Sequence, residues 1–342
     1  MRQALHRSFR ASAAVVVTTA MLALAACGGN PESADADSAG ADTAFEPVTI
    51  EHAFGDTTIS EQPERVAAWG WGSADAAIAL GVVPVAVPAQ TYGGDEDGML
   101  PWNKEAIEKA GAQMPTVLTE AEEPPYEEII AADPDVILAT YSGITQEQYE
   151  KLSKIAPTVA YPDEAWATPW RDVITTTGEA LGKSDEAEKV LADIDAEVAA
   201  AAAAHPEFEG KSIAAVADFG SFYVYRSADP RVQFLEDLGF ELAPSVDDLD
   251  TEESTFFYTL SYEKVDQLES DVLLSYADSE KTQAAFRNSA STKTMQQYDA
   301  GTIAEATGEE LVASVSPPTA LSLTWGLDDY VALLSEAVTS GS

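Results

Sequence analysis

Cysteine is almost absent from this chain: 342 residues hold one, Cys27. No disulfide can form within the chain, so the fold must rest on its apolar core. Basic side chains are scarce too. Lys plus Arg number 18 against 59 Asp plus Glu, a net charge of −41. Nucleic-acid backbone is held by basic stripes, so that class of partner is excluded. Blocks of acid serve mostly to solvate a surface. Catalytic signatures are missing as well: there is no Gly-x-Ser-x-Gly elbow, no P-loop and no His-Glu-x-x-His. Without a suitable thiol or imidazole a nucleophilic triad is hard to assemble, so no catalytic residue is expected.

The N-terminus carries an address. Arg2, Arg7 and Arg10 precede a mostly apolar stretch from Ala11 to Ala26. That stretch is short for a bilayer span, which takes about 20 apolar residues. It reads as the core of a secretory signal peptide over residues 1–26. The sequence Leu24-Ala25-Ala26-Cys27-Gly28 resembles a bacterial lipobox, which implies a diacylglycerol-modified, palmitate-bearing Cys27 after cleavage. The expected location is the extracytoplasmic face of the bacterial cell membrane, held by lipid alone. Removing the leader takes three Arg and no acid, leaving a net charge near −44. Residues 27–44 are then the lipidated Cys and an acidic, Gly/Ser/Ala-rich linker that cannot bury enough surface to order itself.

From Phe45 onward roughly 300 residues remain, enough for two lobes. Strand and helix patterns alternate. Val66–Trp69 reads as a strand, Ser73–Leu80 as a helix with Ser73 as N-cap, and 83–87 as a strand interrupted by Pro84. Helix at Tyr126–Ala132, strand at Asp135–Thr140, helix at Thr145–Ile155 and strand at Thr158–Tyr161 continue the series. After residue 205 the grammar returns, with strands at Ser212–Asp218 and Val272–Tyr276 and helices at Val232–Leu238 and 261–268. Between the halves, Trp170–Leu181 and a helix from Ser184 or Asp185 to Ala204 form a long helical stretch. Ala187, Val190, Leu191, Ile194 and Val198 make one apolar stripe along it. The expected fold is α/β: two Rossmann-like lobes with parallel-type central sheets, joined by one long interdomain helix. The boundaries are residues 45–167 for the first lobe, 168–205 for the helical linker and 206–342 for the second lobe.

Ligands of open α/β sheets bind beyond the C-terminal ends of the strands. That rule selects the loops at 69–73, 90–94, 141–143, 219–226 and 276–279. They carry Trp69, Trp71, Tyr92, Tyr141, Tyr223, Tyr225, Arg226 and Tyr276, with Arg231 and Arg287 as further candidate anion ligands. Aromatic faces with a sparse guanidinium suit a bulky, partly apolar ligand that carries negative charge. His6, His52 and His205 fall on none of these loops, so a zinc site is rejected and no metal ligand is expected.

Several segments resemble one family in order and spacing. They are QPERVAAWGWGSADAAIALGVVPVAV, PYEEIIAADPDVILATYSG, PWRDVITTTGEALGKSDEAEKVLADI, LSYEKVDQLESDVLLSY and LSLTWGLDDYVALLSEAV. Together they are similar to the substrate-binding proteins of ABC importers for ferric siderophores, of the iron-siderophore/cobalamin type with two lobes on one long helix. The resemblance implies capture without chemistry. A monomeric binder with no cofactor takes a Fe(III)-siderophore complex between its lobes and delivers it to a permease dimer with its ATPase. It also implies that Glu127 and Glu263 dock against the permease, with Glu128 as a substitute for Glu127. Haem, with Tyr223 or Tyr276 as axial ligand, and cobalamin remain as alternative cargoes on the same architecture. A carboxylate-bound manganese ranks below them, and an extracellular enzyme last.

Overall fold

The computed structural model describes residues 45–119, 121 and 123–341. The expected signal peptide, Cys27 and acidic linker lie outside these residues. Phe45 packs against Gly182, whose left-handed backbone ends a helix just where a side chain would collide with the Phe45 ring.

A hairpin of β1 (Val48–His52) and β2 (Gly55–Ile59) opens the chain. Next come β3 (Val66–Ala68), α1 (Ser73–Ala79), β4 (Ala86–Pro88), α2 (Pro101–Ala110), β5 (Thr116–Leu118), α3 (Tyr126–Ala132), β6 (Val136–Ala139), α4 (Gln146–Leu152) and β7 (Thr158–Ala160). The last five strands form one sheet in the order β5-β4-β3-β6-β7, and every pairing in it is parallel. Their runs VAA, VILA and TVA are buried at every residue, as strands covered on both faces must be.

Two helices lead out of this lobe. In α5 (Trp170–Leu181) an apolar stripe of Trp170, Val173, Ile174 and Leu181 is buried. Then α6 (Ser184–Ala204) runs 21 residues, or about 30 Å. Its buried residues Ala187, Ile194 and Val198 lie on the expected stripe, and Val190 and Leu191 pack beside them.

The second lobe contains β8 (Ser212–Asp218), β9 (Phe222–Tyr225), α7 (Pro230–Asp237), β10 (Glu241–Leu242), α8 (Pro244–Asp248) and β11 (Phe257–Leu260). It continues with β12 (Val272–Ala277), α9 (Glu280–Asn288), α10 (Gln296–Ala300), β13 (Ile303–Thr307), α11 (Glu309–Val315) and α12 (Ser322–Ser340). Its sheet runs β11-β9-β8-β12-β13 with β10 beside β8. β8, β10, β12 and β13 are parallel, whereas β9 pairs antiparallel with both β8 and β11.

Four local expectations change. Gly72, in a left-handed conformation, precedes α1, and the Ser73 hydroxyl instead bonds Thr140 at 3.0 Å. The strand expected at 83–87 begins only at Ala86, past Pro84, which has no N–H to give a ladder. The helix expected at 261–268 shrinks to a single 3₁₀ turn at Val265–Gln267, because Val265 and Leu268 are the only residues there that the core takes up. The stretch 219–226 is not a loop but a hairpin and strand, since Phe222, Val224 and Tyr225 are buried in a β-rich run.

The chain also returns to the first lobe after α11. Trp71 Nε1 donates to the Pro317 carbonyl at 3.0 Å, and Thr319 Oγ1 donates to Asp75 at 2.5 Å. Trp325 of α12 packs on Trp102 of α2 with ring centroids 5.5 Å apart. Residues 317–325 therefore connect the two sheet layers a second time, beside α6. Among the described residues no helix is long and apolar enough to cross a membrane.

Candidate ligand-binding site

The C-terminal ends of β3, β4, β5, β6 and β7 converge on one surface. There Trp69, Trp71, Pro88, Gln90, Ile144 and Trp166 border a pocket of about 360 Å³. Two glycines make the surface possible. Gly70 has φ 93°, and a Cβ on it would lie 2.4 Å from the Tyr141 carbonyl oxygen, so only glycine lets these two loops touch. A Cβ on Gly143 would lie 2.2 Å from Trp166 Nε1, so the missing side chain is the seat of the Trp166 indole. Trp166 is 43% exposed and meets Tyr141 edge-on at 5.7 Å. The loop rule could have found it, because it follows the strand at 158–161 whose end loop was not counted.

On the second lobe's side of the seam lies a buried ion pair. Asp229 caps α7, taking the Arg231 backbone N–H at 2.8 Å and its Nε–H at 2.7 Å. The Arg231 guanidinium lies 4.0 Å from the centre of the Tyr225 ring, a cation–π contact. Tyr141 and Tyr92 of the first lobe lie in the field of the same guanidinium. Burial pushes the Tyr141 hydroxyl up to about 12, and Tyr92 is raised by burial and by the nearby Asp278 and Glu309 carboxylates. Both phenols are therefore neutral donors at physiological pH. The arrangement can hold a large ligand by aromatic contact from Trp69, Trp71 and Trp166, with the Tyr92 and Tyr141 phenols nearby at the seam between the lobes.

Of the residues singled out from sequence, Trp69, Trp71, Tyr92, Tyr141, Tyr225 and Arg231 gather at this junction. Tyr223 points to the same sheet face as Tyr225 and is half-buried, edge-on to Phe257 at 5.3 Å. Of the other three, Tyr276 lies behind Tyr225, ring centroids 5.9 Å apart, and the two Arg lie elsewhere. Tyr276 is 2% exposed, its hydroxyl 2.7 Å from that of Tyr330 in the core, so it presents no oxygen to a haem iron. Arg226 sits at the end of β9 opposite the hairpin, bound to Asp250 at 2.7 Å and to the Ser254 carbonyl. Arg287 closes α9 and pairs with Glu305 of β13. The two remaining Arg of the described residues are also paired, Arg65 with Asp133 and Arg171 with Asp195 and Asp237. Each candidate anion-binding Arg is thus already paired: among the described residues every guanidinium has a carboxylate partner.

Glu127 is exposed in the first turn of α3, and Glu263 is exposed just beyond β11. Glu128 is engaged locally, accepting from Thr119 N at 2.8 Å and Thr119 Oγ1 at 2.7 Å. His52 bonds Thr57 at 2.9 Å and His205 bonds Glu207 at 2.8 Å, in separate lobes. Among the described residues no three His, Cys, Asp or Glu are grouped to hold a metal ion.

Two sheet lobes on one long helix, with an aromatic site at the strand ends of the first, define a two-lobed binding protein. The family model for the periplasmic binding protein family matches residues 66–300, and the chain belongs to that family. It is 26% identical over 282 residues to the probable siderophore-binding lipoprotein YfiY of Bacillus subtilis, covering 80% of this chain and 82% of that one. The structure of Streptococcus pneumoniae PiaA in complex with ferrichrome superposes with a TM-score of 0.78 at 34% identity, over 86% of this chain and all of PiaA. A periplasmic solute-binding protein of Mycobacterium smegmatis gives 0.73 at 29% identity, over 85% of this chain and 99% of that one.

Proposed function

We propose that this protein is the receptor of an ABC importer, capturing a ferric siderophore between its lobes and passing it to a membrane permease. One observation carries the proposal: Trp69, Trp71 and Trp166 line a strand-end pocket of one lobe, and Trp71 also lines, with Tyr141, the seam against Pro230 and Pro317 beyond it. Its span and aromatic lining suit a ligand large enough to touch both lobes. The names of PiaA, crystallised with ferrichrome, and of YfiY support the same cargo. Cys27 is the proposed lipid anchor, and Glu127 and Glu263 the proposed docking points, one on each lobe.

The test is a tryptophan-fluorescence titration of the mature protein with ferrichrome, ferric enterobactin, haem and cobalamin. Saturable quenching by at least one ferric siderophore, with micromolar or tighter Kd, is expected. Binding of haem or cobalamin alone would overturn the proposal. The intact mass of membrane-extracted protein should show diacylglycerol on Cys27.

A further inference from the structure

We infer that the cargo is a ferric complex without net negative charge, of the trihydroxamate kind, and not an anionic tris-catecholate. This rests on the proposed siderophore function and narrows it. The argument is a charge count at the site. The five loops beyond the strand ends of the first lobe contain neither Lys nor Arg. They do contain Asp95, Glu96, Asp97, Glu123, Asp163 and Glu164. Lys104 of α2 pairs with Asp95 and Lys151 of α4 with Glu123, which leaves Glu96, Asp97, Asp163 and Glu164 as the excess of acid. At the strand ends of the second lobe, Asp218 ends β8, Asp278 follows β12 and Glu309 opens α11. Two of these carboxylates are close enough to Tyr92 to hold its proton on.

The one guanidinium at the junction offers no spare charge. Arg231 is neutralised by Asp229 at 2.7 Å, and its side chain is only 10% exposed. A neutral pair of this kind orients hydrogen bonds and presents a cation–π face, but it does not draw in an anion. Two lysines stand on the second-lobe rim, Lys264 and Lys281, and each adjoins an acid, Glu263 and Glu280. A tris-catecholate ferric complex carries three negative charges and would enter a field of its own sign. A ferric trihydroxamate is neutral, or cationic when it bears an amine, and keeps the aromatic and phenol contacts without repulsion. Discrimination thus comes from repelling the wrong charge, and the attractive contacts are shared by both classes.

The experiment compares Kd for ferrichrome (neutral), ferrioxamine B (cationic) and ferric enterobactin (trianionic) on the mature protein at two salt concentrations. In low salt ferric enterobactin should bind at least about a hundredfold more weakly than the better hydroxamate. Raising sodium chloride to 0.5 M should narrow that gap, because exposed charges are screened. The double substitution Asp278→Asn, Glu309→Gln should narrow it by about tenfold, and Asp229→Asn, which uncovers Arg231, should act in the same direction. Ferric enterobactin binding as tightly as the hydroxamates, or more tightly, would overturn the charge inference and leave the siderophore receptor standing. Failure of all three ferric complexes to bind would overturn both.

Discussion

Gly143 shows how a residue without a side chain shapes the site. Its bare Cα is what allows the Trp166 indole to lie across the loop after β6, at a place where a methyl group would come within 2.2 Å of the ring nitrogen. Because Trp166 is 43% exposed, displacing it uncovers little core. Gly143→Ala should therefore cost less than about 1 kcal/mol of stability by urea unfolding. It should weaken ligand binding by about tenfold, the value of one lost aromatic face. Unchanged affinity would remove Trp166 from the site. Such a role is invisible in the sequence: a glycine in a Tyr-Ser-Gly-Ile loop is legible as a turn, but its partner lies 23 positions further on.

At the scale of elements, Asp75 ties three pieces together. This carboxylate on α1 is 1% exposed and accepts from Trp102 Nε1 at 2.6 Å and Asn103 Nδ2 at 3.3 Å on α2. It also accepts from Thr319 of the returning C-terminal segment. By position alone Asp75 is just an acid in the first turn of a helix, where the helix dipole favours negative charge. Burial raises its pKa above the ordinary carboxylate range, against the lowering effect of its three donors. The folded state then holds this proton to higher pH than the unfolded chain does. The contribution is fully present below the unfolded value and is lost as pH rises through the folded one. Asp75→Ala strands three buried donors and should cost about 2–3 kcal/mol. Asp75→Asn should cost under about 1 kcal/mol, since the Asn103 Oδ1 now lacks a partner and a flipped amide there can meet the new NH₂. Relative to this Asn variant, the parent should gain stability as pH falls toward the ordinary carboxylate range. Chemical unfolding between pH 4 and 8 checks it; a pH-independent difference would show that Asp75 does not bind a proton in that window.

Across the whole molecule, a receptor that works by docking must be read on both lobes at once. Glu127 and Glu263 are exposed, one per lobe, and neither contributes to the core. Replacing both by Ala should leave the fluorescence titration and the melting temperature unaltered within error, and should abolish uptake of radiolabelled ferric siderophore by cells. Uptake at the parental rate would refute the docking assignment. With α6 and residues 317–325 both joining the lobes, large hinge opening meets two connections, so closure on the ligand should be modest.

Much of this molecule was legible from local chemistry alone. Buried strand runs such as VILA, the stripe on α6 and the stops at Gly182 and Pro206 mark their elements because period, capping and backbone freedom act over a few residues. The two-lobed α/β plan and the strand-end placement of Trp69, Trp71, Tyr92 and Tyr141 follow from that grammar. Tertiary structure decided what depends on distant partners. It placed Tyr276 in the core beside Tyr330, turned 222–225 into an antiparallel strand that carries Arg226 away from the cleft, and brought Trp166 onto Gly143. It also gave each Arg of the described residues its acid, and so left no unpaired guanidinium to face a ligand. Charge totals can be counted along a chain, but compensation is a property of neighbours in space, and those neighbours are set only when the sheets pack.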